Sequence, residues 1–227
     1  MTGRVTGLWV YPVKSMRGQA LRAADVDTRG LVGDRLYAVR DEAGKFGSGK
    51  NTRRFARMDG LERWSARRSG ENIEIAPPAG EWLDGASDRA AALLTAQVGR
   101  PVTLVREADI SHFDAAAVHV VTTGDLARLG ALCGLQAPPE SFRSNILLET
   151  DEASAEWIGR TIQIGSAALE IIAPTERCLM VNVAPDGAPG PDFLRTLAQR
   201  MDACFGVYAG VARAGRVATG DVVNLVN

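Results

Sequence analysis

Residues 169–183, LEIIAPTERCLMVNV, join an apolar, strand-like run to a cysteine that follows an arginine. Proline cannot donate to a strand ladder, so we expect the buried strand to stop at Pro174 and the chain to leave the sheet immediately before Arg177 and Cys178. The Arg177 cation favours thiolate over thiol, and thiolate is the form that binds metals or attacks electrophiles. Cysteine is also a common buried apolar residue, so these residues alone leave a reactive and a structural cysteine equally open.

Short strand-like runs dominate the sequence before this segment. The runs RVTGLWVYPV, ALRAADVDT, RLYAVRD and ENIEIAP lie between Gly, Asp and Ser clusters, a spacing typical of a sandwich or barrel. A helix is predicted over SDRAAALLTAQVG, with Ser87 as N-cap and Gly99 just past its end. The strands PVTLVRE and AVHVVTT flank a predicted boundary near residues 106–112.

The second half of the chain adds two helices to further strands. Thr122 and Thr123 precede GDLARLGALCGL, whose apolar spacing predicts a helix with Cys133 in the core. A second helix is predicted over PDFLRTLAQRMDACFG, strands over SNILLE, TIQIG and ALEIIAP, and two strands joined by a Gly-containing turn at the end. The sequence therefore predicts a β-rich α+β fold that is barrel-like rather than doubly wound.

Composition argues against several classes of protein. The 227 residues are 46% hydrophobic and 23% charged, which is ordinary for one large or two small globular domains. A formal net charge of -1 argues against nucleic acid as a partner. No apolar run approaches the roughly 20 residues that cross a bilayer, and the start lacks a signal-peptide core. We therefore expect no membrane partner and a cytoplasmic location.

Cysteine and histidine usage limits the possible metal sites. Cys133, Cys178 and Cys204 are odd in number and widely spaced, which argues against a disulfide framework, a C-x-x-C zinc site and an iron–sulfur cluster with four local thiolates. His119 lies in an apolar run and His112 in a polar connection. Each histidine is more typical of structure than of direct chemistry.

Four segments, in order along the chain, resemble the MOSC family, which is named for the C-terminal domain of molybdenum cofactor sulfurase and includes the mitochondrial amidoxime-reducing component. VYPVKSMRG at 10–18 is similar to the opening of the family's N-terminal β-barrel domain, and GLVGDRLYAV at 30–39 to its second signature. SFRSNILLE at 141–149 is similar to the R-F-R-P-N-I segment, and residues 156–183 resemble the W-x-G…R-C block. The resemblance implies a smaller N-terminal β-barrel-like domain over residues 1–106 and a MOSC-type β-barrel domain over residues 107–227 that carries Cys178.

The resemblance also implies a site for the molybdenum cofactor (molybdopterin). In the amidoxime-reducing members the metal binds a pterin dithiolene and a cysteine thiolate, which here corresponds to Cys178, and a soft thiolate suits such a metal. The cofactor's phosphate implies cationic and polar anchors that the fold must gather from distant parts of the chain. The implied cofactor-binding residues are Lys14, Ser15, Arg35, Thr122, Thr123, Arg143, Asn145 and Arg177.

Some of these positions have a second interpretation, and the chain departs from the family at two places. Thr122 and Asp125 fit a capping box, which needs no ligand. Ser144 replaces the proline of the family's R-P-N, and LMVNVAPDG after the cysteine does not match the T-x-x-D-P of amidoxime-reducing members. These departures leave the substrate and the reaction less defined than the cofactor.

The segment GKFGSGKNT, residues 44–52, has the spacing of a phosphate-binding loop. Asn51, however, stands where a Ser or Thr would bind magnesium, and the basic run that follows lacks helical periodicity, so we interpret the segment as a glycine-rich hairpin. In related proteins a loop at this place borders the active-site mouth. At the active-site mouth, Lys50, Arg53 and Arg54 would screen an anionic cofactor or substrate. The favoured interpretation is instead that they are solvated side chains of the hairpin.

These inferences predict a molybdenum cofactor-binding oxidoreductase that reduces N-hydroxylated or related N–O or S–O bonds of a small-molecule substrate. The chain has no flavin fingerprint and no iron–sulfur cysteine set, so we expect a separate electron-donor protein. The alternative is a non-catalytic cofactor carrier or a sulfur-transfer protein in which Cys178 holds a persulfide. A regulatory small-molecule binder of the same fold is a third interpretation.

Overall fold

The computed structural model describes residues 2–226 as a mostly β protein. In this range the strands are β1 (Thr2–Val10), β2 (Gln19–Ala20), β3 (Ala23–Asp27), β4 (Gly30–Leu31), β5 (Tyr37–Asp41), β6 (Phe46–Ser48), β7 (Phe55–Arg57), β8 (Ser65–Ser69), β9 (Asn72–Ala76), β10 (Leu83–Asp84), β11 (Val102–Arg106), β12 (Val118–Thr122), β13 (Ile146–Glu149), β14 (Thr161–Ile164), β15 (Ala167–Glu176), β16 (Cys204–Arg213), β17 (Gly215–Ala218) and β18 (Val222–Val226). The α-helices are α1 (Asp88–Val98), α2 (Thr123–Cys133) and α3 (Phe193–Arg200), and the short 3-10 helices are Leu61–Arg63, Pro139–Phe142, Ser154–Trp157 and Leu179–Asn182. None of the helices in residues 2–226 is long and apolar enough to cross a membrane.

Seven strands close into a barrel in the order β1, β13, β12, β16, β15, β14, β18, with β18 pairing back to β1. A closed ring with an odd number of strands cannot be antiparallel throughout, and β12 and β13 form its parallel pair. Buried side chains such as Leu169, Ile171 and Val207 pack around Trp157 in the core that these strands form. Closure removes the exposed strand edges that an open sheet would leave.

The first half of the chain forms smaller sheets around a second core. One sheet has the order β11, β5, β6, β7 and another the order β10, β9, β8. Met58, Trp64 and Leu94 lie in the core between these sheets and α1. This part of the chain carries the loops that face the end of β15.

The division of the chain at residues 106 and 107 stays a prediction. β11 ends at Arg106 and pairs with β5, both from the first half. Strand pairing also crosses the division, because β1 is a barrel strand and β17 pairs with β3. The two halves therefore share sheets.

The strand that precedes Cys178 does not stop at Pro174. β15 continues to Glu176, and Pro174 lies opposite Val207 of β16. Register shifts on both sides of this proline accommodate a residue that has no N–H to donate. The predicted stop at Pro174 was wrong, whereas the exit of the chain from the sheet before Arg177 is confirmed.

The capping signals in the sequence located α1 and α2 correctly. Ser87 accepts a hydrogen bond from the N–H of Ala90, and Gly99 ends α1 in the left-handed conformation with φ of 75°. Thr122 and Asp125 form the capping box at the start of α2. These helix ends are local features, so sequence spacing alone was sufficient to find them.

Two predictions near the end of the chain were wrong. The helix predicted over residues 191–206 is confined to α3, because Asp202 and Ala203 take positive φ values of 49° and 55° and turn the chain into β16. The terminal region contains the three strands β16, β17 and β18 rather than two.

The glycine-rich segment 44–52 is not a phosphate-binding loop. A turn at Gly44 joins β5 to β6, which is the predicted hairpin, but β6 is buried and pairs in parallel with β7. A strand therefore follows the segment where a nucleotide-binding loop needs a helix.

Candidate functional site

A cavity of about 200 Å³ opens where the end of β15 faces the loops of the first half of the chain. We call it the cysteine cleft. It is lined by Lys14, Ser15, Arg35, Ser48, Lys50, Asp114, His119, Phe142, Arg143, Glu176, Arg177, Cys178, Met180 and Tyr208. Six of the residues predicted to form the site therefore lie together, although as many as 164 positions separate them in the sequence.

Three cleft residues other than glycine have left-handed backbones. Ser15, Arg35 and Arg143 have φ values of 68°, 49° and 53°. Such a conformation costs about 1 kcal/mol or more for a residue with a Cβ, and it persists only where the surrounding structure enforces it. The cleft thus concentrates backbone strain at residues that carry a hydroxyl or a guanidinium.

The guanidinium of Arg35 is held in place from several sides. It pairs with the buried carboxylate of Asp34 and donates to the Oδ1 of Asn145 at 3.4 Å and the carbonyl of Arg143 at 3.2 Å. Its carbon lies 4.9 Å from the ring centre of Tyr11. Burial works to lower the pKa of Arg35, but the Asp34 carboxylate outweighs it and raises this pKa.

Two side chains hold the backbone of Arg35 in its strained conformation. Arg29 donates to the Arg35 carbonyl at 3.1 Å, and the Nδ1 of His112 lies 3.1 Å from the same oxygen. Arg29 is itself paired with Glu107. His112 therefore supports the site from behind, as a structural residue rather than a lining one.

Arg143 differs from Arg35 because no carboxylate in the described part of the chain pairs with its guanidinium. Its guanidinium stacks 4.4 Å from the ring centre of Tyr11 but makes no hydrogen bond or ion pair with any residue in the range 2–226. Burial, together with repulsion from Arg35, lowers the pKa of Arg143 to about 10. Arg143 is half-buried and presents its guanidinium to the cavity.

Arg177 and Cys178 follow the end of β15. Arg177 donates to the carbonyl of Phe142 at 2.7 Å, while its buried Nε has no partner within the described part of the chain. Burial lowers the pKa of Arg177. Cys178 is partly exposed on the cleft wall, and Leu179 beside it is 54% exposed. The cysteine is accordingly accessible rather than enclosed in apolar packing.

Two lysines in the cleft share one carboxylate. The Nζ atoms of Lys14 and Lys50 each lie 2.9 Å from an oxygen of Asp114. Burial lowers the pKa of Lys14 to about 8 although Asp114 opposes the shift. Burial likewise works to raise the pKa of Asp114, but the two ammonium groups outweigh it and hold this pKa below its usual value.

Arg53 is solvated, as the sequence interpretation favoured, whereas Arg54 is used in holding the backbone of a neighbouring segment. Arg53 is exposed and does not line the cleft, and Arg54 donates to the carbonyls of Ser111, Phe113 and Asp114. Arg54 thus holds the segment that brings Asp114 to the lysines.

Thr122 and Thr123 do not line the cleft, and the binding role that the resemblance implies for them stays a prediction. Thr122 accepts from the N–H of Asp125 and donates to the carbonyl of Glu152, and Thr123 donates to the carbonyl of Thr150. Their hydroxyls are used in capping α2 and joining it to the segment after β13. The capping-box interpretation is the one that fits.

Asn145 also lies behind the cleft and is not one of its lining residues. Its Oδ1 accepts from the N–H of His119 and from Arg35, and its Nδ2 donates to the carbonyl of Trp9. It joins β1 and β12 to Arg35, so it positions a cleft residue instead of lining the cavity.

Sequence reasoning missed several residues of the cleft, chiefly Asp114 and Tyr208. Tyr208 lies on β16 opposite His119 of β12, and burial raises its pKa. A strand pattern shows that this tyrosine alternates with buried residues, but it does not show which loop the ring faces. Asp114 lies in a polar connection that has no recognisable motif.

No group of three or more His, Cys, Asp or Glu residues that could hold a metal ion occurs within residues 2–226. A metal at Cys178 would therefore need to bring other ligands with it. The barrel, the thiol at the end of a strand and the surrounding cations together define a β-barrel protein with a cation-lined cysteine cleft.

Two family models match the chain: "MOSC domain" over residues 107–224 and "MOSC N-terminal beta barrel domain" over residues 2–63. The chain belongs to the MOSC domain family, which is associated with molybdenum cofactor binding. Among curated proteins, none matches the chain.

Among solved structures of low sequence identity, one shares the fold of the whole chain and another resembles part of it less closely. The YuaD protein from Bacillus subtilis is 17% identical with a TM-score of 0.57, and the match covers 99% of this chain and 96% of YuaD. YiiM from Geobacillus stearothermophilus is 18% identical with a TM-score of 0.40, over 49% of this chain and 55% of YiiM.

Proposed function

We propose that the cysteine cleft binds the molybdenum cofactor, with the cofactor's phosphate held by the cations that line the cleft and the metal held by the Cys178 thiolate. The observation that carries the proposal is the guanidinium of Arg143, which has no ion-pair partner within residues 2–226, lies next to a second arginine and sits on a strained backbone. The partnerless Nε of Arg177 adds a donor in the same cavity. A phosphate offers several acceptor oxygens to such donors.

The donor set of the cleft suits this cofactor. Cys178 offers one soft ligand, and a cofactor that coordinates its metal through its own sulfur atoms needs no cluster of protein ligands. Lys14, Ser15 and Arg35 place two cations and a hydroxyl on the same cavity as Arg143. When bound, the cofactor would supply a two-electron reduction of the substrate.

We further propose that the protein is an oxidoreductase for N-hydroxylated or related N–O or S–O compounds. Cys178 lies at an accessible rim, so a small substrate reaches the site without a buried channel. The residues of the chain bind and orient the cofactor, while Arg177 and Tyr208 bring positive charge and a hydroxyl to the substrate side. A separate electron-donor protein completes the proposal, because the chain contains no flavin-binding or iron–sulfur motif.

The alternative is a cofactor carrier or a sulfur-transfer protein with a persulfide on Cys178. The exposure of Leu179 beside the cysteine favours it, because a second protein can then approach the sulfur. Leu179 belongs to the loop after Cys178, and the sequence of this loop departs from the pattern of the amidoxime-reducing members.

The test is to produce the full chain in a host that makes the cofactor and to measure molybdenum, pterin fluorescence after oxidation, and reduction of benzamidoxime by an artificial donor. Stoichiometric molybdenum with turnover supports the enzyme, and pterin without turnover supports the carrier. No pterin at all would overturn cofactor binding. Cys178→Ala should lose metal and turnover, whereas the matched Cys133→Ala and Cys204→Ala variants should keep both, and equal behaviour of the three would contradict the role of Cys178.

A further inference from the structure

One irregular segment of the chain, residues 107–117, joins β11 to β12 and reaches the cysteine cleft with Asp114. We call it the strap. It forms neither helix nor strand, and its residues are exposed or half-buried apart from the buried His112. The ring centre of His112 lies 4.6 Å from that of Phe46, and its Nδ1 lies 3.1 Å from the carbonyl oxygen of Arg35. The strap therefore has a firm anchor just before the residue that enters the cleft.

The part of the strap after this anchor is held by arginine side chains. The main chain of residues 113–116 makes no hydrogen bond to another main-chain group in the range 2–226. Arg54 instead donates to the carbonyls of Phe113 at 2.8 Å and Asp114 at 3.2 Å. The guanidinium carbon of Arg29 lies 4.4 Å from the ring centre of Phe113. Contacts of this kind, at an exposed segment, open more readily than a buried strand ladder.

The strap places one carboxylate between two lysines of the cleft. The two oxygens of Asp114 lie 2.9 Å from the Nζ atoms of Lys14 and Lys50. The side chains of Asp114 and Lys50 are 40% and 41% exposed, so water reaches their ion pair, and such pairs contribute little to stability. A sulfate or phosphate ion offers more charge and more acceptor oxygens than a carboxylate. It is therefore able to replace Asp114 on the same two ammonium groups.

We propose that the strap is an autoinhibitory device: Asp114 fills the place of an anionic ligand between Lys14 and Lys50, and the ligand enters by displacing the strap. His112 stays in place as the anchor, and residues 113–117 move. The ligand is an anion of the phosphate class. The inference rests on the proposed function and adds to it a closed state of the protein without cofactor.

The first test uses Arg54→Ala, which releases the strap and leaves the two lysines in place. Calorimetry measures sulfate binding to the full chain produced without cofactor. Loss of a positive charge by itself weakens anion binding, whereas release of the strap strengthens it, so the two effects have opposite signs. We expect the affinity to rise by about threefold or more, because apparent affinity grows with the fraction of molecules whose site is open. Arg53→Ala removes the same charge from an exposed position outside the cleft and should leave the affinity unchanged.

The second test detects the closed strap directly. A carbodiimide joins a carboxylate to a contacting amine as an amide, and it leaves as a urea that carries one carboxylate oxygen. Lys14, Lys45 and Lys50 are the only lysines of the sequence, so mass spectrometry locates the product. We expect Asp114 to be joined to Lys14 or Lys50. Saturating sulfate should reduce this product by about fivefold or more relative to sodium chloride at the same ionic strength, and Arg54→Ala should reduce it without sulfate.

Two results would overturn the inference. One is an equal or weaker sulfate affinity in Arg54→Ala protein that thermal unfolding shows to be folded, and the other is an Asp114 product that saturating sulfate leaves unchanged. Where the parent protein binds sulfate, either result removes the strap and keeps the proposed function. Absence of sulfate binding from both the parent and Arg54→Ala overturns the proposed function, whereas binding by Arg54→Ala alone supports a strap that closes the site fully.

Discussion

The Nζ atom of Lys14 lies 2.9 Å from the carboxylate of Asp114, although 100 positions separate the two residues. An acidic side chain of the protein thus occupies part of the cationic surface that the proposed function assigns to a phosphate. Lys50 binds the other oxygen of the same carboxylate. Anion binding to the cleft must therefore act against the charge of Asp114.

Asp114→Asn should strengthen binding of sulfate or phosphate to the protein without cofactor. Removing one negative charge beside two ammonium groups relieves repulsion of the ligand, and we expect a gain of about tenfold in affinity, or about 1.4 kcal/mol. Calorimetry at fixed ionic strength measures it. Asp109→Asn, an exposed change in the same connection, serves as the control and should leave the affinity unchanged. Weaker binding in Asp114→Asn would show that Asp114 helps to build the site instead of competing with the ligand.

Sulfate affinity should fall with rising pH. Burial lowers the pKa of Lys14 to about 8, so its ammonium charge is present below this pH and is lost above it. Between about pH 7 and about pH 9.5 the affinity should drop by about tenfold. Sulfate keeps its charge in this range, so the change belongs to the protein. Lys14→Met should bind sulfate weakly and with little dependence on pH, and an unchanged pH profile in this variant would assign the titration to another group.

Arg143→Asn should separate the binding role of Arg143 from the stability of the fold. Asparagine tolerates the left-handed backbone, and the change removes a half-buried cation that repels Arg35. We expect sulfate affinity to fall by about tenfold or more, while the free energy of unfolding stays equal or rises by about 1 kcal/mol. Denaturant unfolding and calorimetry measure the two effects. Arg53→Asn, at an exposed position outside the cleft, should change neither, and a large loss of stability in Arg143→Asn would mean that Arg143 serves the fold.

Local signals in the sequence predicted much of this structure. Caps at Ser87 and Thr122 located α1 and α2, and alternating apolar residues located most of the longer strands. Lysine and arginine can bind an anion anywhere in a protein, so the residue types of Lys14, Arg35 and Arg143 do not locate a site. Only the family resemblance predicted that these three residues lie in one site. These features depend on short spacings or on recognised motifs.

Other features depend on contacts that no spacing encodes. Pro174 lies inside β15 because bulges in the ladder accommodate it, and bulges depend on the partner strand. Asp114 reaches the lysines because Arg54 holds three carbonyls of its loop, a long-range contact. The roles of Thr123 and Asn145 behind the cleft follow equally from where their neighbours fold.

Thr122→Ala tests whether Thr122 serves the helix or the cofactor. The Thr122 hydroxyl is fully buried, accepts from the N–H of Asp125 at 3.0 Å and donates to the carbonyl of Glu152 at 2.7 Å. Loss of this cap should cost about 1–2 kcal/mol and lower the melting temperature by about 2–8 °C. Because Thr122 does not line the cleft, sulfate affinity and the molybdenum content of folded protein should stay unchanged. Thr122→Ser keeps the hydroxyl and should recover most of the stability. A variant with normal stability and reduced sulfate affinity would reverse this assignment, since a capping hydroxyl acts on folding and a ligand-binding hydroxyl acts on affinity.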